Sequence, residues 1–285
     1  MDATHTLAEF THDLTMDALP QTAVDASTRM ALDVVGSALA AWDAPGVKEL
    51  RSILSEWGEG PSRVWVGGER LSPPAATLVN SSMAHALEYD DLHCELPIHS
   101  GVIMVPAVLA VADANPNITG ADATVAIIAG TEIICRMARA TRSYFGDTGF
   151  RGWNPSSVVA GFATAAATGR LLGLDAEGTN HAMGIAATQA AGLKSNFGTM
   201  TKPLHAGKAA SNGLLAASLA SRGFTSRENT LDIAQGFGDS MNELLMREFA
   251  EAVLADRTPA VTDRDGWRGV ACIEAAYESA RTHRA

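Results

Sequence analysis

Between Asn80 and Gly101 the chain reads Asn-Ser-Ser-Met-Ala-His-Ala-Leu-Glu-Tyr-Asp-Asp-Leu-His-Cys-Glu-Leu-Pro-Ile-His-Ser-Gly, so three histidines and four acids fall within fifteen residues. A carboxylate beside an imidazole fixes its tautomer and raises its basicity. That pairing suits removal or return of a proton next to a carboxyl group. Helical spacing puts His85, Glu88 and Asp91 or Leu92 on one side, while Pro97 and Gly101 force the chain out of helix and leave His99 on a loop. A single histidine in apolar surroundings is more often a satisfied core residue than a catalyst, and His85 is read as core. Asp90 and His99 are the candidates for proton transfer. Asp90, His93 and His99 have the residue types of a metal site, but their spacing matches no helical ligand pair, and no metal is expected.

A second polar group runs from Gly192 through Lys194, Asn196, Thr199, Lys202 and His205 to Lys208. It holds too many glycines and polar residues for a helix and empties into an apolar helix over 205–221. A loop that ends at a helix N-terminus offers free N–H groups and a positive dipole end, and with Lys202 it would hold a carboxylate. The plain alternative is a solvated loop lysine. A third group, Phe150-Arg151-Gly152-Trp153-Asn154-Pro155, also leads into a helix. Arg151 there is either a carboxylate clamp or a surface residue.

These residues must be positioned by helices, because small residues dominate the middle of the chain and the stretches between turn signals are long. The expected helices are 102–112, 122–141 with Asp122 as N-cap, 158–172 capped by Ser156 or Ser157, 181–189 and 205–221. The helices over 158–172 and 205–221 are apolar on every face, which places them at the centre of an all-α domain. One β signal interrupts: Arg63 to Val66 and Glu69 to Leu71 read as a hairpin closed by a Gly67-Gly68 turn. Near Gly236-Phe237-Gly238 the composition changes, so a helical domain over 1–239 and a tail over 240–285 are expected. The tail would hold helices at 241–255 and 267–281 around a loop containing Pro259.

Composition bounds the partners. The 285 residues are 47% hydrophobic and carry a net charge of -11, which suits a globular protein and leaves no basic surface for nucleic acid or anionic membrane. Cys94, Cys135 and Cys272 stand far apart with no CxxC pair, as expected of reduced packing thiols in a cytoplasm. No secretory signal is visible, and Pro106 and Asp113 interrupt the longest apolar run. No GxGxxG or GxxxxGK[ST] supports a nucleotide site.

Taken together, Asn80 to His85 with Tyr89-Asp90-Asp91, His99-Ser100-Gly101, Gly152-Trp153-Asn154-Pro155, Lys202-Pro203-Leu204-His205-Ala206-Gly207 and Gly223-Phe224-Thr225 resemble the MmgE/PrpD family in identity and order. The resemblance covers roughly residues 5 to 240. It implies an all-helical domain with a small β-hairpin appendage, homodimerisation, no metal or organic cofactor, and acid–base chemistry on a carboxylic acid. Matched position by position, it implies Asp90, His99 and Lys202 as catalytic residues, with Glu88 and Leu92 in less clearly matched places; Arg151, Asn154, His205 and Glu88 are the expected substrate-binding residues.

Two departures stand out. Asn154 occupies a position where family members usually have histidine, and an amide cannot shuttle a proton. The family's second, lid domain has no counterpart after Phe237, where the tail instead resembles the end of Gfo/Idh/MocA oxidoreductases. The expected activity is therefore a lyase, by dehydration or decarboxylation, on a substrate larger than the usual small polycarboxylates. Glu88, Asp91 and Glu95 would further disfavour a tricarboxylate by like-charge repulsion. The alternatives are an isomerase or epimerase, which tolerates Asn154 better, and a non-catalytic helical dimer module or half of a two-chain enzyme whose lid-like partner is separate.

Overall fold

The two segments that are apolar on every face form the centre of the molecule. The computed structural model describes residues 3–93, 96–140, 152–228 and 230, and among these it contains nine α-helices. They are α1 (Ala3–Asp13), α2 (Gln21–Ala40), α3 (Val47–Glu56), α4 (Pro73–His85), α5 (Gly101–Ala114), α6 (Gly120–Ala140), α7 (Pro155–Leu171), α8 (Ala176–Ala187) and α9 (Thr201–Ala220). In α7 every residue except Val158 and Arg170 is buried. It packs on α9, α6 and α8, and α9 packs in turn on α4. Large side chains such as Met83, Ile103, Met104, Ile133, Met137 and Leu214 fill the space around this pair and are fully buried. Helix α7 therefore needs no amphipathic stripe, because neighbours cover it on all sides, whereas α9 keeps Lys208 and Leu215 exposed on one side.

Close approach of backbones is what the small residues are for. A Cβ placed on Gly213 of α9 would stand 2.5 Å from the carbonyl oxygen of Gly161 and 2.6 Å from Cβ of Thr164, both on α7. On the other face of α9, a Cβ on Gly207 would stand 2.5 Å from the carbonyl oxygen of Leu78 in α4. Both separations are far inside ordinary contact distance, so only glycine lets α9 lie between its two neighbours.

The all-α expectation with a small hairpin holds, while several boundaries move for identifiable reasons. Helix α6 starts at Gly120 because Thr119, not Asp122, is the cap: the Asp122 amide donates to Thr119 Oγ1 at 3.2 Å and the Thr119 amide donates back to Asp122 Oδ2 at 2.9 Å. Asp122 is the third helical residue of that capping box. Helix α7 starts at Pro155, whose missing N–H costs nothing at the first position, rather than after a serine cap. Helix α8 starts at Ala176, where Asp175 accepts a 2.8 Å bond from the Gly178 amide. The ribbon is shorter than a two-residue glycine turn allows, pairing only β1 (Ser62–Arg63) with β2 (Arg70–Leu71). Asn80 explains the difference, for its side chain accepts the Trp65 amide at 3.0 Å and donates to the Arg63 carbonyl at 2.8 Å, pinning this strand to α4 instead of its partner.

No helix among the described residues is long and apolar enough to cross a membrane. Cys94, Cys272, Glu95, the 240 boundary and the two tail helices lie outside the described residues. Cys135 on α6 is a partly buried free thiol, and its burial, then the charges of Glu132 and Asp91, push its pKa up to about 11.

Candidate active site

Helix α4 ends at His85, and the chain then turns sharply enough that Glu88 adopts a left-handed backbone with φ of 55°. The expected helical face carrying His85, Glu88 and Asp91 does not exist. What the turn achieves is to bring Asp90 back onto His85. Asp90 Oδ2 accepts a 2.9 Å hydrogen bond from Nδ1 of His85, and Nδ1 of His99 stands 2.8 Å from the same oxygen. The two imidazole rings meet edge to face, 4.6 Å apart and inclined by 61°. The Asp90 side chain is fully buried and that of His85 nearly so, whereas the His99 side chain keeps 20% of its surface open.

The electrostatics follow from this shared contact. Burial alone would push the Asp90 carboxyl up, but hydrogen bonding and charge from His85 and His99 outweigh it and hold the group well below the usual carboxylate range. An ionised Asp90 can only accept, so the hydrogen-bonded Nδ1 of His85 carries a proton. His99 is held by charge contact more than by a hydrogen bond, since its Nδ1 has no well-aligned partner despite the short distance. Asp90 Oδ1 is likewise buried without a partner.

Asp91 does different work. Its carboxylate accepts the Gly101 amide at 2.9 Å and the Ser100 hydroxyl at 3.1 Å, satisfying free groups where α5 begins. Burial raises its pKa, against those two hydrogen bonds. Asp91 therefore sets the direction of α5 and with it the position of His99, two residues before that helix.

Lys202 lies in the first turn of α9, not on the preceding loop. The helix reaches back to Thr201 because Thr199 Oγ1 accepts the Thr201 amide at 3.2 Å and its carbonyl accepts the Lys202 amide at 3.1 Å. Pro203 falls in the same turn, where its missing donor is tolerated. Lys202 Nζ sits 2.5 Å from Glu88 Oε2 and 5.4 Å from the centroid of the Phe197 ring. The lysine side chain is 12% exposed and the glutamate 56%.

One turn further on, His205 is buried with Nδ1 unpartnered. Burial, then the charges of His85 and Lys202, lower its pKa. The segments flanking α7 and α9 are tied together here, for the Asn154 amide donates to Gly192 O at 3.0 Å and the Lys194 amide to Gly152 O at 2.9 Å. Asn154 is buried at the start of α7, and Arg151 lies outside the described residues.

The structure thus brings together Asp90, His99, Glu88, Lys202 and His205 from the sequence-predicted set. It adds His85, which the sequence reads as core. It removes His93 from the carboxylate, because the group with metal-ligating donors among the described residues is His85, Asp90 and His99. The signal for His85 was its place five residues before Asp90, legible only once the intervening turn is known.

The chain matches the MmgE/PrpD N-terminal domain over residues 5–245 and belongs to the MmgE/PrpD family. It is 35% identical over 239 residues to a cis-aconitate decarboxylase of Aspergillus terreus, covering 82% of this chain and 48% of that protein. Cis-aconitate decarboxylases of Homo sapiens, 31% identical over 244 residues, and Mus musculus, 30% identical over 240, are similar over 82% of this chain and 49% of their own length. The chain spans about half the length of the curated relatives it matches.

Proposed function

We propose that this chain carries an acid–base lyase site acting next to a carboxylate, with decarboxylation as its reaction and no resident cofactor. The observation that carries the reading is the buried Asp90 carboxylate shared by His85 and His99, with Lys202 in the first turn of α9 across from Glu88. The names of the relatives favour decarboxylation over dehydration.

In such a reaction the C–C bond to the departing carboxylate breaks, CO₂ leaves, and the electron pair stays on carbon as an enolate-like anion conjugated with a neighbouring carboxylate. Lys202 holds that negative charge. His99, kept in place by Asp90, returns the proton to carbon. Asn154 and His205 hold polar ends of the substrate, and Arg151 is the further candidate clamp. Glu88 occupies Lys202 in the structure, so an entering carboxylate must compete with it.

The test is incubation with cis-aconitate and with bulkier carboxylic acids in D₂O, following CO₂ release and carbon-bound deuterium by NMR. Decarboxylation gives both together. Deuterium exchange without CO₂ would instead establish the isomerase reading, which Asn154 favours because an isomerase needs no acid for a leaving group. Neither signal with any acid would overturn the enzymatic reading.

A further inference from the structure

Asp90 is contacted twice through one oxygen and not at all through the other. Nδ1 of His85 and Nδ1 of His99 converge on Oδ2 at 2.9 and 2.8 Å, and these donor atoms all lie within 4.8 Å of one another. Meanwhile Oδ1 of Asp90 and Nδ1 of His99 are buried with no hydrogen-bond partner. The His99 contact thus lacks an aligned hydrogen bond, and a buried carboxylate oxygen without a partner is costly. A positive ion held by the two nitrogens and the carboxylate together would satisfy the group.

We infer that His85, Asp90 and His99 form a binding site for a divalent transition-metal cation of the Zn²⁺ type. Two imidazoles and one carboxylate match the ligand preference of Zn²⁺ and its neighbours, whereas Mg²⁺ and Ca²⁺ select all-oxygen sets. The site is held by rigid elements: His85 ends α4 and His99 precedes α5, whose start is fixed by the Asp91 bonds to Ser100 and Gly101. The partly open face of His99 is the way in, since the other two side chains are closed. Binding takes the Nδ1 lone pairs, so the proton on His85 Nδ1 leaves or moves to Nε2, and solvent completes the coordination. The ion occupies the nitrogen that faces Asp90 and withdraws His99 from proton transfer. It is therefore an inhibitor, and this last consequence rests on the lyase reading while the binding does not.

The test uses the full chain, stripped with EDTA and dialysed, titrated with Zn²⁺ by calorimetry and with Co²⁺ by its visible ligand-field absorption. One ion per chain is expected, with affinity at least tenfold weaker in both His99→Ala and Asp90→Asn. His99→Ala is the safer variant, because its side chain is not closed in, and circular dichroism verifies that each is folded. No saturable binding, or equal affinity in the wild type and both variants, would overturn the site. Binding as expected with turnover unaffected by Zn²⁺ would leave the site standing and overturn the role of His99 in proton transfer.

Discussion

At the scale of single residues, the site rests on a charge balance: one buried carboxylate serves two imidazoles, and removing any member leaves the others uncompensated. Asp90→Asn keeps the shape and removes the charge, so it is expected to lower turnover about 10²-fold or more, the usual size of an acid–base contribution, as are His99→Ala and Lys202→Ala. His85→Ala should fall in the same class although it does not reach the open face, because Asp90 would lose its best-aligned hydrogen bond. Steady-state kinetics with parallel thermal melts check this; full activity in His85→Ala with a large loss of stability would return that residue to the core. A pH effect follows from His205, whose pKa is held below that of an ordinary imidazole, about 6.5, by burial, then by His85 and Lys202. The unfolded chain then takes up a proton at higher pH than the folded one. The contribution of His205 to stability is therefore complete above that value and is lost as the pH falls from it through the folded value. Melting temperatures measured from about pH 7.5 down to about pH 5 should fall less steeply in His205→Asn than in the wild type.

At the scale of elements, the close pairs α7–α9 and α4–α9 hold Lys202, His205 and His85 in one place. Gly213→Ala decides between two effects of opposite sign. Alanine gains about 1 kcal/mol of helix propensity over glycine. Its Cβ, however, would enter the backbone carbonyl of Gly161 at 2.5 Å, and overpacking against rigid backbone costs about 1–3 kcal/mol or more. Net destabilisation by denaturant titration is the expected result, and a stabilised variant would show that α7 and α9 can move apart. The sequence made the central helices legible because burial on all faces needs no tertiary information to recognise. It also made Asp90, His99 and Lys202 legible through their blocks of neighbours. It did not show the helix starts, which depend on caps such as Thr119 and on whether Pro203 sits inside the first turn. Nor did it show that Glu88 turns left-handed and folds Asp90 onto His85, a choice made by the surrounding packing and not by the local residues.

At the scale of the whole molecule, the segments that carry the site leave Tyr89, Leu92, Trp153, Leu193 and Met200 exposed, with Trp153 and Leu193 paired by a β-bridge. Exposed apolar side chains in such segments are a surface suited to being covered. The relatives extend over about twice the length matched here. Glu88 already sits on Lys202, so a small, multiply charged acid should be handled poorly. A bulkier monoacid would shield the site with its own apolar body and bring one carboxylate to compete with Glu88. Purified chain is thus expected to show kcat/KM for cis-aconitate below about 10⁴ M⁻¹s⁻¹, the low end for ordinary enzymes, with higher values on the bulkier acid. These exposed apolar residues favour self-association, so sedimentation equilibrium at micromolar protein should give a homodimer near twice 29.7 kDa. A monomer that decarboxylates cis-aconitate efficiently would overturn both expectations, since it would mean that neither a second copy nor the substrate is needed to close the site.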